Sequence, residues 1–185
     1  NIFNNVCAGT HVVVVTNAVG CLEYSTAIVT EPLPLVVNVS TTNLLCYNVC
    51  AGEIDITATG GTAAIQYSID NGTSFALNGT FPGVCAGTYD IVINDGGTCT
   101  YSTQAMIFEP ALLATAVDIT DATCAGNCDG SINAIPFGGT GAYTYTWTPA
   151  QTGNNPLAEN LCVGPFSLTI ADANGCSIDT TVSIG

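Results

Sequence analysis

V-C-A-G-T-Y-D-I-V-I-N-D-G-G-T-C, residues 84–99, is one of three versions of a single pattern. The others are V-C-A-G-T-H-V-V-V-V-T-N-A-V-G-C at 6–21 and L-C-V-G-P-F-S-L-T-I-A-D-A-N-G-C at 161–176. In each, thirteen residues separate two cysteines, a Gly lies two places after the first, and a Gly-containing turn precedes the second. Between the cysteines the apolar residues alternate. Tyr89, Ile91 and Ile93 share one side of an extended chain, as do Phe166, Leu168 and Ile170, and a period of two is the mark of a half-buried strand. Asp95-Gly96-Gly97 and Asp172-Ala173-Asn174-Gly175 supply left-handed turn positions. The β-branched runs that follow, Thr100 to Ile107 and Ser177 to Ile184, complete a strand, turn and strand in each copy.

Working outward, the first cysteines of the copies are spaced 78 residues (Cys7 to Cys85) and then 77 (Cys85 to Cys162). Other markers recur in register: C-Y-N-V-C-A-G-E-I from Cys46 and C-A-G-N-C-D-G-S-I from Cys124, then Gly60-Gly61-Thr62 and Gly138-Gly139-Thr140. After these come the alternating runs Ile65 to Ile69 and Tyr143 to Trp147. Glu31-Pro32 and Glu109-Pro110 mark junctions, since proline cannot extend a central strand. The expected organisation is a partial module over 1–31, the last third of a β-sandwich repeat, followed by full repeats over 32–109 and 110–185. The last repeat offers strands at 113–120, 131–135, 142–148, 166–171 and 177–184, with a weakly patterned one at 155–161. Six or seven short strands with Gly-rich turns and no helix signal predict an all-β chain of tandem immunoglobulin-like antiparallel β-sandwiches. Trp147 falls on the third strand, where such domains bury a Trp; Ile69 takes its place in the other repeat.

The composition excludes whole classes of function. The chain has 185 residues, no Lys or Arg, one His and a net charge of −14; 8% of residues are charged and 48% hydrophobic. Nucleic acids and anionic membranes need cationic partners, so neither is an expected partner. The apolar runs are short and broken by Gly, Asn and Thr, so no transmembrane helix is expected. With no initiator Met or signal sequence, the chain reads as a mature or excised piece. Ten cysteines at regular spacing indicate an oxidising, extracellular compartment. A zinc site at Cys46/Cys50 or Cys124/Cys128 would need a second short ligand pair, and disulfides are the better reading.

The combination C-x-G-x-C-D-G, G-G-T-x-x-Y-x-Y-x-W, L-C-x-G and D-A-N-G-C in the last repeat resembles the SprB-type repeats of large cell-surface adhesins in the Bacteroidota. The middle repeat departs at Ile69 and at Asn94 to Thr98, and the first copy holds only the final third. The resemblance implies immunoglobulin-like modules in long secreted proteins, surface display with gliding or adhesion, and export by the type IX system. It implies no catalytic site.

Candidate chemistry is sparse. His11 occupies the position of Tyr89 and Phe166 and reads as a ring packed in a strand; a catalytic triad would have to use it. The acids, among them Asp55, Asp90, Asp118, Asp129 and Asp179, show no paired arrangement of the kind glycosidases need. No enzymatic activity is expected. The turns at Asp70-Asn71-Gly72 and Asp172 to Gly175 are shorter than a full calcium loop. No cofactor is expected, and calcium bridging between modules is the one candidate left open. Asn38, Asn71 and Asn78 match the N-glycosylation pattern, and Thr180 lies in a D-T-T run that resembles the group's O-glycosylation signal.

In a seven-strand sandwich the starts of the second and sixth strands lie at one end, which pairs Cys50 with Cys85 and Cys128 with Cys162. That leaves Cys46 for Cys99 and Cys124 for Cys176, although strand parity puts those partners at opposite ends. Cys7 and Cys21 are left unpaired. The functional reading is a structural protein, secreted and displayed outside the cell or on its surface, forming part of a fibre or adhesin. Its partners are copies of itself or flanking modules, head to tail. The alternative is a carbohydrate-binding module, with glycans as partners and Trp147 as the stacking residue. Val13 and Val15 in the first 31 residues need a covering sheet, supplied in cis or by a neighbouring chain.

Overall fold

The computed structural model describes residues 2–62, 64–96, 99–124, 126–149 and 154–185. Among them are fourteen strands and no helix. The chain opens with a hairpin, β1 (Gly9–Thr16) and β2 (Leu22–Val29), in continuous antiparallel register from Gly9↔Val29 to Thr16↔Leu22. Asn17 closes the turn: its side-chain oxygen accepts the N–H groups of Val19 and Cys21, both at 3.0 Å.

Six strands follow as a first sandwich. One sheet has the order β3 (Leu33–Thr42), β4 (Gly52–Gly61), β6 (Thr80–Val84); the other has β5 (Gln66–Ser68), β7 (Gly87–Asn94), β8 (Thr100–Ile107). The next six repeat the plan. β9 (Ala114–Thr120), β10 (Gly130–Phe137) and β12 (Leu157–Leu161) form one sheet, and β11 (Thr144–Thr148), β13 (Gly164–Ala171) and β14 (Ser177–Ile184) the other. In chain order, strands one, two and four make one sheet and three, five and six the other. This is the immunoglobulin arrangement without its fourth strand. The weakly patterned stretch of the sequence is β12, which pairs Ala158 with Ile132.

Alternation decides what is buried. Ile54, Ile56, Ile91, Ile93, Ala105 and Ile107 meet between the sheets of the first sandwich, with Leu44 closing one end. In the second, Ile132, Ala134, Ala158, Leu161, Leu168, Ile170, Val182 and Ile184 do the same around Trp147. Burying each large aliphatic side chain contributes roughly 1.5–3 kcal/mol. The residues between them face water and are largely Thr, Ser, Asn and Asp, which hold the sheets in solution in the absence of Lys and Arg.

Candidate functional site

Each sandwich has two chemically distinct ends. At one, a carboxylate clamps a glycine turn. Asp172, only 5% exposed, accepts the backbone N–H of Thr140 (2.8 Å) on one oxygen. Its other oxygen accepts those of Asn174 and Cys176, both at 2.9 Å. Burial acts to raise its pKa, but the N–H groups of Thr140, Cys176, Asn174 and Gly175 outweigh that and hold it below the ordinary carboxylate value. Asp95 does the same in the first sandwich, taking the N–H and hydroxyl of Thr62 at 3.1 Å each. The glycines are required by close approach. A Cβ on Gly138, at φ +74°, would stand 2.0 Å from the Leu112 carbonyl, and one on Gly139 2.8 Å from an Asp172 oxygen. The sequence pattern contains both the Gly-Gly-Thr and the Asp turns. Their contact was legible only from their matched recurrence, Gly61 with Asp95 and Gly139 with Asp172.

The opposite end carries the Cys-x3-Cys loops. Gly52 pairs with Val84 and Gly130 with Leu161, so the cysteines just outside these pairs lie side by side. The structure bonds Cys50 to Cys85 and Cys128 to Cys162. Each bond ties the start of the second strand to the corner leaving the fourth. The other two expected pairings are corrected: Cys46 is bonded not to Cys99 but to Cys176, and Cys124 is therefore not bonded to Cys176. The reason is strand direction. β4 runs from the cysteine loop to Gly61, against which Asp95 packs, and Cys99 follows Asp95 at that far end. Ten residues of strand span roughly 30 Å, whereas a disulfide requires Cα atoms within about 7 Å. Cys46 and Cys176 have theirs 5.7 Å apart. Cys7, Cys21, Cys99 and Cys124 are free and exposed.

The Cys46–Cys176 bond crosses from one sandwich to the next, and polar contacts surround it. The Asn174 side-chain amide donates to the Leu45 carbonyl at 3.0 Å. Phe108 N–H donates to the Asn43 side chain at 2.9 Å, Leu44 N–H to the Phe108 carbonyl at 2.9 Å, and Asn48 N–H to the Glu109 carboxylate at 2.7 Å. The cysteine end of the first sandwich thus receives the carboxylate-clamped turn of the second. The sequence signal is the same pair of marker cysteines set one period further apart, 130 residues.

The hairpin presents a second surface. His11, Val13, Val15, Ala27 and Val29 stand one period before Tyr89, Ile91, Ile93, Ala105 and Ile107, which are core or packed against it. In the hairpin that face is open: Val15 is 61% exposed. An apolar recess of about 750 Å³ lies over Phe3, Val6, His11, Val13, Ala27 and Val29. Among the described residues β1 and β2 pair only with each other.

The remaining candidates have local roles. His11 Nε2 lies 2.8 Å from the Cys7 carbonyl, the position in which Tyr89 Oη donates to the Cys85 carbonyl at 2.9 Å. His11 therefore serves as the corner ring of its strand, in the manner of the immunoglobulin tyrosine corner. Trp147 is 5% exposed and its indole N–H donates to the Asn155 carbonyl at 3.0 Å, so it is a core residue and no platform for a sugar. Asp70 is held at about 2 by hydrogen bonds from the Ser68 and then the Ser74 hydroxyls. Both calcium-like turns therefore use their carboxylates to organise their own loops. Among the described residues no group of three His, Cys, Asp or Glu side chains is placed to hold a metal. Asn38 is exposed on β3, Asn71 and Asn78 are exposed in the loop between β5 and β6, and Thr180 is half-buried on β14.

The SprB repeat family matches at residues 38–74 and 116–152, so the chain carries SprB-type repeats at two places. No curated protein matches it. Among solved structures it is similar to the eight N-terminal Ig domains of Down Syndrome Cell Adhesion Molecule. That match has 15% identity and a TM-score of 0.45, covering 100% of this chain and 29% of that one. It is also similar to a C-terminal fragment of intimin in complex with the translocated intimin receptor's intimin-binding domain. There the identity is 11% and the TM-score 0.38, covering 80% of this chain and 63% of that one. The chain thus spans less than two thirds of either, and the likeness concerns fold alone.

Proposed function

Taking two SprB repeats as the premise, we propose that the chain is a stretch of a secreted structural protein, a rod of β-sandwich modules displayed at the cell surface as part of a fibre or adhesin. The observation that carries this reading is the junction. Two sandwiches meet end to end and are tied across the junction by the Cys46–Cys176 disulfide and the Asn174–Leu45 hydrogen bond, while three hydrogen bonds within the first sandwich pin the chain where it leaves for the second. A rod built this way sets reach and transmits force, while the Cys50–Cys85 and Cys128–Cys162 bonds stop each module from unravelling. No cofactor or catalytic step is involved.

The open hairpin fits the same scheme. Its apolar face is complementary to a sheet of the β3-β4-β6 type, so the module over 1–31 is completed by four further strands of the same repeat. The modules span 32–109 and 110–185, and the chain has no Lys or Arg with which to bind an anionic partner. Sugars on Asn38, Asn71, Asn78 or Thr180 would decorate the outer faces. Negative-stain microscopy of native material tests the reading. Beaded filaments with a regular repeat are expected, and dispersed monomers would refute it.

A further inference from the structure

The Cys46–Cys176 joint has a duplicate of each half elsewhere in the chain. Cys124 stands one period after Cys46, and Cys99 one period before Cys176. Both are exposed free thiols. We propose that the joint is one rung of a repeating covalent staple: Cys124 bonds the turn cysteine of the module that follows, and Cys99 bonds the first loop cysteine of the module that precedes. This deepens the rod reading and rests on it.

The geometry of the Cys124 face supports the assignment independently of the thiol. In the first sandwich, Phe108 N–H is anchored by Asn43 just before the chain passes through Glu109-Pro110 into the module that docks on that face. In the second, Gly185 N–H is anchored by Asp121, the residue one period after Asn43, at 2.8 Å. The chain therefore reaches the Cys124 face along the same path by which it reaches the Cys46 face, and the occupant is a module of the same polypeptide. The loop bearing Cys124 is also held ready. Asp129 accepts the Thr123 N–H (3.0 Å) and hydroxyl (2.6 Å), the Asn127 side chain donates to Thr123 Oγ1 at 3.2 Å, and Cys128 is fixed by its bond to Cys162. Thr123 stands one period after Leu45, whose carbonyl accepts the incoming Asn174 at the formed joint. The arriving turn is thus of stated chemistry: a Gly-Cys hairpin turn closed by its own aspartate, such as D-A-N-G-C at 172–176.

Formation of each rung joins two thiols. Two protons and two electrons leave as the S–S bond forms and pass to a disulfide oxidant, protein or small molecule, which is reduced to two thiols. The period carries the same assignment to the hairpin. Cys21 corresponds to Cys99 and seeks a loop cysteine one module further back, and Cys7 corresponds to Cys85 and closes within its own module.

The test is disulfide mapping of native, full-length protein. Free thiols are alkylated before denaturation, and the unreduced protein is cut at acidic and aromatic residues, since no tryptic site exists. The expected result is an unalkylated Cys124 peptide joined to a turn peptide ending in Gly-Cys, and Cys99 joined to a Cys-x3-Cys loop. Alkylated Cys124, or Cys124 bonded to Cys99 of its own chain, would overturn the staple. A reductant-sensitive ladder on a denaturing gel would overturn assignment to a single polypeptide. Filaments with alkylated Cys124 would sink the staple and leave the rod; dispersed monomers would sink the rod and the staple with it.

Discussion

Removing the disulfide Cys128–Cys162 should destabilise the second sandwich and leave the first untouched. Its cysteines are 34 residues apart, and loop closure of that length constrains the unfolded chain by about 4 kcal/mol at room temperature. The double variant Cys128→Ser/Cys162→Ser removes the bond without creating a free thiol. Trp147 is the chain's one Trp and lies in the core of the second sandwich, so its fluorescence reports unfolding of that sandwich alone. With a urea slope of about 2 kcal/mol per molar, as is usual for small domains, the fluorescence midpoint should fall by roughly 2 M. The matching variant Cys50→Ser/Cys85→Ser, with a loop of 35 residues, should produce an equal loss by circular dichroism and leave the Trp transition in place. The Cys46–Cys176 bond closes a loop through both sandwiches, so its removal should weaken their joint more than either core. A Trp midpoint that moves equally in both double variants would refute the argument, because it would mean that the sandwiches unfold as one unit.

Three further outcomes follow from the same contacts. Gly138→Ala forces a Cβ toward the Leu112 carbonyl at a positive φ and should cost at least about 1–3 kcal/mol by the Trp-monitored midpoint; a neutral result would mean the turn relaxes freely. Asp172 has a lowered pKa in the folded state, so its contribution is present above the unfolded value of about 3.9 and fades as pH falls below it. Asp172→Asn should therefore flatten the loss of stability between about pH 5 and pH 2, and an unchanged profile in the variant would remove Asp172 from the account. With fourteen acids and no Lys or Arg, the folded chain repels itself, so the melting temperature should rise with added salt as the repulsion is screened; a fall would require attractive ion pairs that the composition does not provide.

Much of this protein was legible before any coordinates. Period-two alternation selects strands because successive side chains point to opposite faces, and the residues it aligned, Ile91 with Ile93 and Leu168 with Ile170, are fully buried. The repeat markers predict that the two full modules share one plan, and each sandwich reproduces the strand order of the other. β12 was hard to see because its sequence, Leu-Ala-Glu-Asn-Leu, alternates poorly, and pairing with β10 rather than its own pattern makes it a strand. The candidate residues were legible only where one residue type has one local job, as for His11 in the place of Tyr89. Its position on the third strand predicts a core role for Trp147, and its chemistry alone a sugar platform; burial and the bond to Asn155 decide for the first.

The sequence by itself determined the strands, the period and which cysteines lie within reach across adjacent strands of one sheet, because these depend on local geometry and short loops. Only the tertiary structure decided the partners of Cys46 and Cys176. That choice turns on which ends of two sandwiches face each other, and a period of 77 or 78 residues is the same whether a marker cysteine bonds inside its own module or across to the next. Strand direction puts Cys46 and Cys99 a full strand length apart, and the docking of the next module brings Cys176 to the vacated place.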